Sequence, residues 1–330
     1  MEQYPFFSII IPTKNEESVI GNCLSSLKRL NYPKDRFEII ISDGLSSDNT
    51  VKIAEDYGAI IIRNEKQTVA PGRNAGFLNS RGDLIAFSDA DCVMDENWLN
   101  NSLKYFKDNN IGGIGGPNFA PKNESSFGKA VRFLLSIGSF LSFSFYVTDS
   151  KKVKEAKSIP GCNAIYKRAA LEKVIPTDES LLTCDDTDMN YHLGYKGYKL
   201  LYVPDVIVWH YRRDNPKKLW KQIYRFAVGR LQLSRKHKKA LNSIHIISGF
   251  ILPIGFLLAI ILFFLNPVYL LFLTYSILAF LTFIFILSLI KERSVKVSLY
   301  VIPALIISVT AWSIGFIREL FFPIKEVSGK

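Results

Sequence analysis

Apolar and polar positions follow two rhythms along the first ninety residues. A short, nearly continuous apolar run, Phe7 to Ile11, ends at Pro12 and gives way to helical spacing from Glu17 to Leu30. The same pair then repeats. Phe37 to Ser42 reads as a strand, Thr50 to Tyr57 as a helix, Ala59 to Arg63 as a strand, Gly72 to Ser80 as a helix, and Leu84 to Ser88 as a strand. Short continuous apolar runs are strands buried on both faces, and their alternation with helices predicts an α/β domain built on a mostly parallel sheet. Ligands of such sheets gather at the carboxyl ends of the strands. Polar residues stand at those ends here: Thr13-Lys14-Asn15-Glu16, Asp43-Gly44 and Asp89-Ala90-Asp91. Farther along, Tyr202 to Val208 reads as another strand. Ile111 to Gly116 reads as a tightly packed one, because its glycines lack dinucleotide-loop spacing and open no evident helix.

The pattern changes completely near Ile244. From there to Phe322 the chain is almost wholly apolar, interrupted at Asn266-Pro267 and between Lys291 and Lys296. The three resulting stretches, 244–265, 267–290 and 297–322, each reach the roughly 20 apolar residues that cross a bilayer. The loop between the second and third carries Lys291, Arg293 and Lys296, whereas the first loop carries no charge. The positive-inside tendency therefore places residues 1–243 and 291–296 in the cytoplasm and the tail from Pro323 outside. Met1 to Phe7 shows no basic n-region or long apolar run, so no signal peptide is expected. The expected protein is a multi-pass cell-membrane protein with a cytoplasmic soluble domain.

Charge sharpens this division. The net charge of +11 is concentrated between Arg212 and Lys239, where eleven Lys or Arg stand against a single acid, Asp214. Leu219, Ile223, Ala227 and Leu231 recur within this stretch at every fourth position, the mark of a basic amphipathic helix. It abuts an apolar span, so anionic lipid headgroups, and not nucleic acid, are the expected partner. Domains follow as 1–211 (soluble), 212–243 (basic interfacial segment) and 244–330 (membrane helices). Phe133 to Val147 is apolar but short and serine-bearing, and reads as an interfacial or core helix. The four cysteines, Cys23, Cys92, Cys162 and Cys184, have no C-x-x-C spacing and no histidine cluster beside them, so four reduced thiols are expected.

Asp89-Ala90-Asp91 holds the most informative chemistry. Two carboxylates one small residue apart, directly after a buried strand, can converge on a hard divalent cation that a diphosphate completes. Without a cation they raise each other's pKa. A second acidic cluster, Cys184-Asp185-Asp186-Thr187-Asp188, reads either as a catalytic group or as acids complementing a helix N-terminus. Asn15 and Glu16 either line a ligand site or cap the first helix. Asp43-Gly44 is either a binding carboxylate or a turn.

The set S-I-I-I-P-T-K-N-E-E (8–17), I-I-I-S-D-G-L-S-S-D-N-T (39–50), A-P-G-R-N-A-G (70–76), G-D-L-I-A-F-S-D-A-D (82–91) and C-D-D-T-D-M (184–189) resembles family 2 glycosyltransferases of the GT-A fold. The likeness covers roughly residues 6–230 in the family's order. It implies a nucleotide-diphosphate sugar, carried on UDP or GDP, as donor, and Mn²⁺ or Mg²⁺ as cofactor. By the resemblance Pro12, Thr13, Asn15 and Glu16 line the nucleoside pocket, Asp43 bonds the base or ribose, and Arg73 lies near the donor. Asp89 and Asp91 match the metal-binding D-x-D. Asp186 matches the general base that deprotonates an acceptor hydroxyl, with Asp185 standing where the family has Glu. Cys162 and Asn163, in a small-residue turn after Pro160-Gly161, fall on the acceptor side. His210 is either a third metal ligand or a packed strand end. Gln222 to Phe226 partly resembles the Q-x-x-R-W motif of processive synthases, with Phe226 where Trp is expected; Arg225 is its candidate contact to acceptor or diphosphate. The expected activity is inverting transfer to a polyprenyl phosphate or lipid-linked glycan. A processive polysaccharide synthase and a silent scaffold retaining the fold are the alternatives. Contacts between copies through the apolar helices are a further expected partnership.

Overall fold

Strand β1 (Phe7–Thr13) shows why the apolar runs are continuous. Ile9, Ile10 and Ile11 are all fully buried, yet successive side chains of a strand point to opposite faces. Ile9 and Ile11 enter a core layer with Leu24, Leu27, Trp98 and Phe106, and Ile10 enters another with Phe77, Phe87, Tyr166 and Met189. The sheet is thus covered on both faces, as a parallel sheet requires.

The computed structural model describes residues 4–121, 124–140 and 151–324. These fall into two compact units, one of residues 4–121 and 151–210, the other of 124–140 and 211–324. In the first unit β1 is followed by α1 (Ile20–Lys28), β2 (Phe37–Asp43), α2 (Thr50–Asp56), β3 (Ile60–Arg63), α3 (Val69–Leu78) and β4 (Leu84–Ser88). Then come β5 (Cys92–Met94), α4 (Trp98–Leu103), β6 (Ile111–Gly115) and β7 (Asn118–Phe119). The strand order of the main sheet begins β3-β2-β1-β4, with each of these pairs parallel. Beyond it lie β9 (Asn163–Lys167), antiparallel to both β4 and β6, then β10 (Lys199–Tyr202), parallel to β6, and β8 (Lys154–Ala156) at the edge. Helices α6 (Arg168–Leu171) and α7 (Asp185–Tyr195) separate β9 from β10. A small second sheet joins β5, β11 (Val208–His210) and β7.

Two elements differ from the periodicity. The first helix starts at Ile20 and not at Glu17, because Glu16 and Glu17 donate their N–H groups to Thr50 Oγ1 (2.8 Å) and Asp48 Oδ2 (3.1 Å). The run from Tyr202 to Val208 is not one strand. It turns at Pro204-Asp205 between β10 and β11, with Val206 N–H bonded back to the Val203 carbonyl, so Pro204 acts as the breaker that its chemistry predicts.

The second unit is helical: α5 (Ser126–Phe140), α8 (Pro216–Lys236), α9 (Ser243–Leu265), α10 (Pro267–Glu292) and α11 (Val295–Phe321). The last three are long and apolar enough to cross a membrane. Asparagines cap the starts of α8, α9 and α10, where Asn215, Asn242 and Asn266 accept backbone N–H bonds, and Ser294 caps α11. Helix α5 packs through Ala130 and Phe133 on Ile284, Val297 and Val301, and Arg132 pairs with Glu124 (3.0 Å) and Glu292 (2.8 Å). Residues 124–140, which the sequence places inside the soluble domain, therefore group with these helices. Part of the Phe133 to Val147 stretch, and the tail beyond residue 324, lie outside the described residues.

Candidate active site

The carboxyl edge of β1 and β2 is lined by polar atoms without partners. Thr13 lies opposite Asp43 in the strand register. Asp43 Oδ2 accepts from the Ser46 N–H (3.0 Å), while its Oδ1 is buried with no partner among the described residues. Thr13 Oγ1, Ser42 Oγ and Thr68 Oγ1 are orphaned in the same way. The loop into α3 closes over them. Asn64 N–H bonds the Asp43 carbonyl (2.8 Å), and Gly72 lies so near Pro12 that an added Cβ would stand 3.0 Å from the proline's Cβ. Native proteins rarely leave several buried polar groups unsatisfied in one place, so this edge suits a polar ligand. Asn15, with φ +56°, does not cap α1; its Oδ1 accepts from Ser47 N–H (2.8 Å) and its N–H donates to Ser46 Oγ (2.9 Å), bracing the loop after Asp43. The loop so braced leaves Asp43 Oδ1 buried at the strand edge. Ser42 and Thr68 are absent from the sequence-derived set. The signal for Thr68 was its place just before a helix, where such residues cap, although here its hydroxyl makes no cap bond.

Arg73, buried on α3, connects the two acidic clusters. Its Nη1 lies 2.6 Å from Asp185 Oδ2 and its Nη2 lies 3.5 Å from Asp89 Oδ1. Burial works against its charge, but Asp185, Asp89 and Asp186 outweigh that and raise the guanidinium above its ordinary value. Asp185 is raised by burial, which outweighs the lowering by Arg73. Gly161 packs on this group so closely that a Cβ would overlap the guanidinium. Its N–H donates to Asp186 Oδ2 (2.9 Å), and Asp186 Oδ1 accepts from Thr187 N–H (2.6 Å). Cys184, at φ +69°, holds an uncommon left-handed conformation at the start of α7, which brings Asp185 and Asp186 out together on the first turn.

On the other side of Arg73 stand Asp89, Asp91 and His210. Their ligand atoms all lie within 4.8 Å of one another, and His210 Nε2 is 3.2 Å from Asp91 Oδ1. β11 carries His210 to this place by pairing with β5, in register with Cys92. Asp89 keeps 36% of its side chain exposed. Enclosure of its carboxylate, then the neighbouring Cys162, nevertheless push it up to about 7 against the pull of Arg73. Burial disfavours charge on His210, but Asp91 and Cys162 overcome it and hold the imidazole up at about 10. Two carboxylate oxygens and an imidazole nitrogen, partly open to solvent, fit a Mn²⁺- or Mg²⁺-type cation. His210 also stands within reach of Cys92 and Cys162, so the fold assembles a histidine beside the thiols that sequence spacing did not show. None of the four cysteines forms a disulfide among the described residues.

One residue assigned to the acceptor side belongs to the core. Asn163 is fully buried: its Oδ1 accepts from Trp98 Nε1 (2.9 Å) and its Nδ2 donates to the carbonyls of Pro117 (3.2 Å) and Val206 (2.9 Å). It is a core residue because it is the first position of β9 and points away from the turn. Arg225 belongs to α8 in the helical unit, where burial lowers its pKa. Cys162 is nearly buried, 3.2 Å from Asn118 Nδ2, with its carbonyl accepting from Ser88 Oγ.

A mostly parallel sheet with a carboxylate-rich carboxyl edge is the arrangement that the resemblance to GT-A glycosyltransferases implies. A mannosyltransferase from Pyrobaculum calidifontis, solved in complex with GDP-Man and Mn²⁺, shares the fold with a TM-score of 0.63 at 18% identity, over 93% of this chain and 88% of that one. The chain belongs to glycosyl transferase family 2, whose profile matches residues 8–175. It is 29% identical to glycosyltransferase AglE of Haloferax volcanii over 260 residues, 77% of this chain and 82% of that protein. It is also 27% identical, over 70% of this chain and 74% of the relative, to a Methanococcus voltae dolichyl N-acetyl-alpha-D-glucosaminyl phosphate 3-beta-D-2,3-diacetamido-2,3-dideoxy-beta-D-glucuronosyltransferase.

Proposed function

We propose that this glycosyltransferase moves a sugar, with inversion, from a nucleotide-diphosphate donor to a membrane-held acceptor, a polyprenyl phosphate or a lipid-linked glycan. The observation that carries the reading is Arg73, which touches Asp89 and Asp185 at once and so makes one site of two distant acidic clusters. The orphaned atoms of Thr13, Ser42, Asp43 and Thr68 receive the nucleoside. Asp89, Asp91 and His210 would hold Mn²⁺ or Mg²⁺, whose contribution is to neutralise the departing diphosphate. Arg73 adds fixed positive charge on the same side. Asp186, aimed by its bonds from Gly161 and Thr187, takes the proton of an acceptor hydroxyl. An acceptor phosphate, already ionised, depends on it less. The dolichyl-linked substrate in the name of the Methanococcus voltae relative supports a lipid-linked acceptor, and the GDP-Man and Mn²⁺ of the Pyrobaculum calidifontis structure support the donor class and the cation. The reading sets the catalytic unit at the cytoplasmic surface of a cell membrane with anionic lipids as partners, and the basic helix α8 and the apolar helices support it.

The test is release of nucleoside diphosphate by purified full-length protein from a panel of UDP- and GDP-sugars, with Mn²⁺ or Mg²⁺, with and without polyprenyl phosphate. Cation-dependent release stimulated by the lipid is expected. Transfer undiminished by chelation, or a soluble sugar accepted as readily as the lipid, contradicts the reading.

A further inference from the structure

The three long apolar helices are not equivalent. In α9 and α10 only 6% of the most apolar window is buried, and large side chains face outward on all sides, from Ile247 through Phe264 to Phe283. In α11 a third of the window, 33%, is buried. Its exposed large apolar residues, among them Leu299, Ile306, Ile314 and Phe321, fall within about half of the helix circumference at 3.6 residues per turn and form one stripe. A single apolar stripe is the mark of a helix lying in an interface, and apolar surface all round that of a helix immersed in lipid.

The packing of α8 against α11 decides the matter. The two run side by side in the same direction. Leu219 packs with Ala304 and Ile307, a Cβ added at Gly315 would stand 3.2 Å from Ala227 Cβ and 2.7 Å from the Tyr224 carbonyl oxygen, Leu231 packs with Phe316, and Arg235 Nη1 bonds Glu319 Oε1 (2.5 Å). The pairing runs from Leu219 to Arg235, about 24 Å of α8 at the usual rise. Over the length of α8 stand Lys217, Lys218, Lys221, Arg225, Arg230, Arg235 and Lys236. A membrane-crossing α11 would carry α8 and these charges into the hydrocarbon with it, where Lys and Arg are strongly disfavoured.

The feet of α9 and α10 give the same answer. The first turns of α9 meet α11 near its end, where His245 stacks on Trp312 and Ser313 Oγ bonds the Gly249 carbonyl (2.6 Å). The last turns of α10 meet it near its start, through Ile284 and Leu287 against Val297 and Val301. These footholds, Val301 and Phe316, are about 22 Å apart along α11. Both feet are bordered by charge, Lys238-Lys239 before α9 and Lys291-Glu292-Arg293 after α10. Were α11 upright, one charged foot would sit at mid-bilayer. With α11 flat, both lie at the same depth.

We propose that the chain crosses the membrane twice, as the α9–α10 hairpin turning at Asn266-Pro267, and that α11 lies in the headgroup region with α8, its exposed stripe facing the acyl chains. The chain's C-terminal end is then on the side of the catalytic unit, opposite to what the spacing of apolar stretches and the positive-inside tendency imply.

The test uses the full chain in intact cells. An epitope appended after Lys330 is expected to be reached by antibody only after permeabilisation, and Asn266→Cys to react with a membrane-impermeant maleimide from outside, with the unsubstituted protein as blank. An epitope detected on intact cells overturns the proposal, as does an Asn266→Cys that stays unlabelled until the membrane is opened. Paired lysine substitutions give a second readout. Ile306→Lys, mid-way along the stripe, is expected to keep its membrane-associated fraction within about twofold, because lysine at an interface reaches water, whereas Leu278→Lys in α10 is expected to lose most of it. Equal loss in both also refutes a flat α11.

Discussion

The two units use apolar residues in opposite ways. In the catalytic unit Ile9, Ile10 and Ile11 are wholly hidden and polar atoms are gathered at one edge of the sheet. In the helical unit Phe264 is 82% exposed, while the charge of Glu319 is completely buried against Arg235. The same physics, removal of apolar surface from water, explains both once the surroundings of each unit are named. Water bathes the first, so its greasy strands hide between helices. In the proposed two-pass arrangement lipid bathes α9 and α10, so most of their large apolar side chains need no protein partner. On the proposed function, the first unit supplies the reacting groups and the second the membrane surface on which the acceptor is met.

Substitutions break or sharpen that contrast. Asp91→Asn should lower sugar transfer at least about a thousand-fold, since charge at the diphosphate is the largest single term in such a site, while membrane association stays unchanged; a matching loss of both would dissolve the division of labour. Ile10→Ala should cost about 3 kcal/mol of unfolding free energy. Phe264→Ala, equally apolar, should shift the same detergent-solubilised melt hardly at all. Asn163→Ala should cost about 2 kcal/mol through the buried groups it leaves unpaired, with the KM for acceptor unaltered in whatever enzyme remains folded. Arg73→Lys should reduce kcat about tenfold, because lysine keeps the charge but cannot reach Asp89 and Asp185 together.

Much of the catalytic unit was legible in its residues. Continuous apolar runs marked the strands, and the polar groups just after them, Asp43, Asp89 and Asp91, stand where parallel sheets present their ligand-binding edge. What stayed hidden depends on pairing across the chain. His210 reaches Asp91 and the Cys92–Cys162 thiols only because β11 pairs with β5, and no local pattern encodes that. Asn163 was misplaced because a P-G-C-N-A turn does not reveal which side of β9 its asparagine will face. The double role of Arg73 was equally invisible, since its two partners are separated by nearly a hundred residues. In the helical unit the four-residue repeat of α8 showed an apolar face but not that α11 covers it, and length and hydropathy alone made α11 resemble its neighbours.

The most direct measurement pairs donor binding with turnover in Asp186→Asn. Calorimetric titration of a nucleotide sugar with Mn²⁺ into the purified variant, beside an assay of transfer to a hydroxyl-bearing lipid-linked acceptor, separates the two acidic clusters that Arg73 joins. Donor affinity within about threefold of the unsubstituted protein, with transfer reduced by two to four orders of magnitude, is the predicted result. Transfer at the unsubstituted rate would contradict the account, because the carboxylate facing the nucleophile would then not be the one that the fold sets beside the donor.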